Sequence, residues 1–173
     1  AAEYPGDSPQ GTPQRTPLSV LNELISITDA IQDVDTLLEQ ALGKILAALA
    51  ARRAAIYLRE GALWVLCAQR GLESPAVSAP DQLPDETVHS WVQSAALERS
   101  LPLYEPSHMP GALGQAFPDC HTVLCLPLLV REKSIGVILV GLTSSLPSFG
   151  EDRDFLDALG KIIGLAVDHS RLY

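Results

Sequence analysis

The sequence predicts an α+β fold of α/β/α layers, with a central antiparallel sheet covered on both faces. Three observations carry this. Residues Thr122–Thr143 form two strand-length runs rich in Val, Ile and Leu around the charged turn Arg131-Glu132-Lys133. Along the second run, Ile135, Val137 and Leu139 point one way, and Gly136, Ile138, Val140 and Leu142 the other. Both faces are apolar, whereas a sheet with one wet face alternates apolar with polar. A second apolar pair, Ala54–Leu58 and Leu63–Ala68, flanks Glu60-Gly61. Segments of helical period stand at both ends of the chain and supply the cover.

The elements follow in order. Residues 1–16 hold Pro5, Pro9 and Pro13 among Gly, Ser, Thr and Gln, without apolar periodicity, and read as a linker or tail. Pro17 opens a helix, with Leu18, Leu21, Leu24, Ile25 and Ile31 at helical spacing. Asp33 or Asp35 caps a second helix whose apolar face is Leu38, Leu42, Ile45, Leu46 and Leu49. The hairpin turn at Glu60-Gly61 uses a glycine able to take positive φ. Gly71 to Gln82 reads as irregular. Asp85 is the expected N-cap of a helix to Arg99, with Val88, Trp91, Val92 and Ala95 inward. Pro102-Leu103-Tyr104 suits an edge strand, because proline cannot donate to a ladder. Ser107 to Cys120 reads as a loop or short helix. Ser148-Phe149-Gly150-Glu151 has the pattern of a capping box.

In the helix that follows, Phe155, Leu159, Ile162, Ala166, His169 and Tyr173 recur in steps of four and three, a short heptad-like seam. Gly160 and Gly164 each cost about 1 kcal/mol of helix propensity. Two readings compete for them: close packing on the chain's own sheet, or a helix-to-helix dimer contact.

Bulk properties exclude several classes. A chain of 173 residues, 47% hydrophobic and poor in aromatics, fits one domain with an aliphatic core. A net charge of −9 argues against nucleic-acid or anionic-membrane surfaces. No apolar run reaches the ~20 residues of a membrane span, and no signal-peptide pattern opens the chain. The three cysteines lack regular spacing, which points to a reducing compartment rather than a disulfide framework. The chain begins with Ala1, has its only Met at position 109 and ends within a helical pattern. It is expected to be a piece of a longer protein.

Several stretches carry a family resemblance: Ala54-Ala55-Ile56-Tyr57-Leu58 with Leu63 to Gly71, Thr87 to Tyr104, Leu126-Pro127-Leu128 with Ile135-Gly136-Val137-Ile138, and Phe149-Gly150-Glu151-Asp152 with Arg171-Leu172-Tyr173. Together they resemble a GAF domain over 17–173. The resemblance implies an antiparallel sheet with an N- and C-terminal helix bundle on one face, the usual dimer contact. The other face would carry a pocket helix and loops around a small molecule. It further implies a cytoplasmic, non-catalytic input module of a bacterial signalling protein, most like those of sensor histidine kinases. Diguanylate cyclases and transcription regulators are other outputs for such modules.

The candidate ligand pocket is Trp91, Tyr104, His108, Met109, Phe117, Cys120 and His121, a concentration of versatile side chains in the middle third. The competing reading is a core closed by the aromatics. The candidate dimer seam is Leu21, Ile25, Phe155, Leu159, Ile162 and Ala166. Cys120-His121 suggests the bilin-attaching pair of phytochrome-type relatives, but it sits too near the strand and the Asp-Ile-Pro motif is missing. Neither the four histidines nor the cysteines have metal-site spacing, and haem would rest on one axial His. No metal ligand and no catalytic residue is therefore assigned.

Two further functions are weighed. A ligand-free dimerisation and relay module needs no pocket at all. A GAF-fold free methionine-R-sulfoxide reductase would use Cys120 or Cys125 as nucleophile, although the cysteine spacing departs from that family. The Asn-Lys … Phe … Asp-Glu signature of cyclic-nucleotide binding is absent. The acidic residues Asp33, Asp35, Glu39, Glu151, Asp152, Asp154 and Asp157 sit near helix starts, where the macrodipole favours them.

Overall fold

The computed structural model describes residues 16–30, 33–72, 80–90, 103–109, 111–144 and 152–171. The expected tail before Thr16, Trp91 and the rest of its helix to Arg99, the capping box at 148–151 and Tyr173 lie outside the described residues.

Thr16 Oγ1 accepts the Ser19 amide at 3.1 Å, so helix α1 (Pro17–Ala30) starts with a capped turn and proline in its first position. Asp33 caps α2 (Val34–Ala48), its carboxylate accepting both the amide and the hydroxyl of Thr36. Strands β1 (Arg53–Glu60) and β2 (Leu63–Arg70) form the first hairpin, with Gly61 at φ 65°. β3 (Gln82–Pro84) precedes a helical run, α3, over 85–90. β4 (Leu103–Tyr104) is followed by 3-10 turns at Pro106–His108 and Gly111–Ala116. β5 (Thr122–Val130) and β6 (Lys133–Leu142) form the second hairpin, and α4 (Arg153–Arg171) closes the described fold.

The six strands run β3-β2-β1-β6-β5-β4, antiparallel throughout. β3 is an addition to the sequence reading: three residues show no periodicity, and pairing with Leu63–Val65 is what makes them a strand. The hairpin between β5 and β6 turns on Arg131 and Glu132, at φ 50° and 67°. Two positive φ values match the tight turn that the right-handed strand twist prefers. β4 pairs only with Val123 and Leu124, so β5 has no described partner on that flank at Pro127, where a missing N–H is tolerated.

The sheet is buried on both faces. On one, Ala54, Ile56, Leu58, Ile138, Val140 and Leu142 meet α2 and α4 in one apolar cluster. On the other, Ala55, Tyr57, Val137 and Leu139 meet Leu72, Val88, Met109, Leu113 and Phe117. The alternation along β6 thus follows the expected two sets, with one correction. Ile135 packs on the helix side rather than with Val137 and Leu139, close to the register shift between Leu128 and Leu129. The helix layer also differs in detail. α4 lies on β5, α2 on β1 and β2, and α1 packs on α2 and α4. In α1 the buried positions among the described side chains are Val20 and Leu24, while Leu18 is 67% exposed.

Candidate functional site

The two glycines of α4 sit on the chain's own sheet. A β-carbon at Gly160 would collide with the Pro127 carbonyl oxygen, and one at Gly164 would reach the Leu129 carbonyl oxygen at 2.8 Å. Side-chain-free positions let the helix backbone approach β5. The seam residues Phe155 and Leu159 are buried in this same core and are spent within the chain. Leu21, Ile162 and Ala166 are half-buried against it, and Ile25 is 43% exposed.

On the opposite face, the predicted pocket residues divide. Met109 and Phe117 are buried among Leu113, Ala116, Val123 and Leu139, so they fill space in the core. Tyr104 and Cys120 are half-buried against the same cluster. His108 is exposed, 4.0 Å from Glu105, and His121 is exposed with its amide donating to Leu142. Trp91 lies outside the described residues.

Two polar anchors fasten this face. Tyr57 Oη donates to the Pro80 carbonyl at 2.6 Å, and burial pushes the phenol's pKa far up. Trp64 Nε1 donates to Asp85 Oδ1 at 2.9 Å, with the Arg59 guanidinium 5.8 Å from the indole centroid. Asp85, expected as an N-cap, therefore spends its carboxylate on tying the start of α3 to β2.

An open cleft of about 520 Å³ lies at the end of the sheet where α2 delivers the chain to β1. Its polar wall is Arg52, Arg53, Asp119 and Thr143. The remainder is small: Ala50, Gly71, Cys120 and Gly141. Arg53 donates from Nε to Asp119 Oδ1 at 2.7 Å, from Nη2 to Asp119 Oδ2 at 3.2 Å, and from Nη1 to the Gly71 carbonyl. This bidentate pair joins β1 to the segment before β5 and to the end of β2. The hydrogen bonds from Arg53 hold the Asp119 carboxyl below the usual carboxylate range. Arg52 is exposed and makes no ion pair among the described residues. Gly141 pairs with Arg53 across the sheet, and a β-carbon there would overlap Cys120 Sγ and the Phe117 ring. Cys120 thus borders both the cleft and the closed cluster.

Of the predicted site residues that are described, only Cys120 lines this cleft. Arg53 and Asp119 are 66 positions apart and carry no local motif, so their pairing has no signal in the sequence.

The thiols are held protonated. Burial, then the nearby Asp119 charge, pushes Cys120 up to about 11. Burial also raises Cys67 and, more strongly, Cys125. Among the described residues no three His, Cys, Asp or Glu side chains converge as a metal site.

A family model described as GAF domain matches residues 33–169. The chain belongs to the GAF domain family. No curated protein sequence matches it. Solved structures share the fold at low identity. The GAF domain of an Acinetobacter phosphoenolpyruvate-protein phosphotransferase superposes with a TM-score of 0.68 and 17% identity, covering 90% of this chain and 94% of that one. Free methionine-R-sulfoxide reductase from Neisseria meningitidis, in complex with its substrate, gives 0.67 and 17%, covering 90% of each chain. The GAF domain of a protein taken to be a sensor histidine kinase, from Pseudomonas syringae pv. tomato, gives 0.58 and 17%, covering 90% and 88%. GAF domains are regulatory and sensory units of signalling proteins, and this one has the family's α+β architecture. No helix among the described residues is long and apolar enough to cross a membrane.

Proposed function

We propose that this GAF domain is a non-catalytic, small-molecule-sensing input module of a cytoplasmic bacterial signalling protein, with a sensor histidine kinase as the output. The observation that carries this reading is the shared hairpin β5–β6. One of its faces holds α4 through the glycine contacts, and the other bears the Phe117 cluster, with the cleft beside it at Gly141. A guest at that second face touches the same strands that seat α4. A ligand shifts the helix only to the extent that it binds two arrangements with different affinity. Two copies would pair through α1 and α4, using exposed positions such as Leu18, Ile25 and Leu165.

Native mass spectrometry of protein from its own host tests this directly. The expected spectrum is a dimer retaining a small molecule. A bare monomer overturns the reading.

A second reading is a ligand-free dimerisation and relay module. The burial of Met109 and Phe117 favours it, because these two predicted pocket residues are already spent in the closed cluster. A dimer without any retained molecule supports this alternative. The reductase reading is weaker. A nucleophilic cysteine needs a favoured thiolate, and all three thiols here are pushed the other way.

A further inference from the structure

We propose that the cleft between Arg52 and Asp119 is the ligand site of this domain, and that it takes a small organic carboxylate. This rests on the sensing reading above and gives it a place and a chemistry. The charge balance comes first. Two arginines and one aspartate line the cleft, an excess of one positive charge on a chain of net charge −9. Asp119 is matched to Arg53, and among the described residues Arg52 has no acidic partner. A guest with one negative charge completes the set.

Donor capacity comes next. A guanidinium has five N–H groups. Arg53 commits three to Asp119 and Gly71, so two remain. Arg52 adds its own planar fork, which matches a carboxylate in bidentate geometry. Thr143 adds a hydroxyl. This is a donor-rich wall with its own acceptor already engaged.

Shape agrees with a small molecule. The volume of about 520 Å³ falls within the ordinary range of such sites. Ala50, Gly71 and Gly141 are the small residues of its lining. Gly71 and Gly141 are each fixed by a close approach, to the Arg52 carbonyl and to Cys120 with Phe117 respectively. Ala50 adds a left-handed residue at φ 53° on the rim, a conformation that costs roughly 1–2 kcal/mol for an L side chain.

The cleft also joins separate parts of the fold. Its walls come from the α2–β1 corner, the end of β2, the segment before β5 and the end of β6. A guest bridging them ties the Phe117 cluster to the strand that leads on to α4.

The test is amide chemical-shift mapping of the whole chain with sodium benzoate, using neutral benzamide at the same concentrations as the isostere. Benzoate is expected to shift residues 50–53, 71, 119–120 and 141–143, and benzamide to leave them unmoved. Arg52→Gln should weaken benzoate by about tenfold or more, as expected for losing a charge-assisted contact, and Arg52→Lys should recover part of it. Arg52 is exposed, so these variants keep the fold. Equal titrations for parent and Arg52→Gln overturn the assignment, as does the absence of benzoate shifts at these positions. Shifts confined to residues 104–117 also overturn it, yet leave a sensing domain with its site in the aromatic cluster. Failure of the sensing reading itself is seen separately, in the host protein's mass spectrum.

Discussion

Gly160 of α4 lies so close to the carbonyl oxygen of Pro127 on β5 that no β-carbon fits between them. Alanine would ordinarily favour a helix by about 1 kcal/mol over glycine. Here the added methyl must displace the backbone of a central hairpin, and overpacking of this kind costs about 1–3 kcal/mol. Gly160→Ala is therefore expected to lower stability in urea denaturation despite its better propensity. A stabilised variant would mean that α4 sits farther from the sheet.

Ala50 offers the opposite case. Its φ of 53° is strained for alanine and free for glycine. Ala50→Gly should raise stability by about 0.5–1 kcal/mol, the left-handed strain less the added chain entropy. Thermal unfolding reads this directly, and a lower midpoint would contradict the observed backbone.

Phe155 and Leu165 share a helix but not a role. Phe155 is buried against the sheet, and its truncation to Ala should cost about 3–5 kcal/mol. Leu165 is 63% exposed, so Leu165→Glu should unfold nothing. If α4 pairs with a second copy, that same variant reduces the sedimentation coefficient toward the monomer. An unchanged mass would remove α4 from the interface.

The Arg53–Asp119 bridge sets an acid limit. The folded state holds Asp119 below its ordinary value of 3.8, chiefly through the Arg53 hydrogen bonds. Its stabilisation is complete above that value and is lost as the pH falls through the folded pKa. The melting-temperature gap between the parent and Asp119→Asn should therefore be constant near neutrality and close in strong acid. A gap independent of pH would argue against the pairing.

Cys120 sets an alkaline one. With its thiol pushed up to about 11, alkylation by iodoacetamide should be slow at neutral pH and rise with a midpoint near that value. Cys125, fully buried, should react only on unfolding. Fast labelling of Cys120 at pH 7 would revive the nucleophile reading.

What the chain declares by itself is whatever depends on neighbours in sequence. Alternation along Ile135–Leu142 announces a sheet buried on both faces, Asp33 or Asp35 a helix start, and Gly61 a turn, because each follows from local backbone geometry. The same logic has a limit in Ile135, which a register shift nearby takes out of the alternation. Whether an aromatic such as Phe117 lines a pocket or plugs it depends on what faces it, here Met109, Leu113 and Leu139 from other elements. Arg53, Asp119 and Gly141 meet only because the start of β1, the end of β6 and the segment before β5 lie at the same end of the sheet. Periodicity is written along one strand or helix, whereas a cleft is a relation between several, and only the folded sheet brings them to one place.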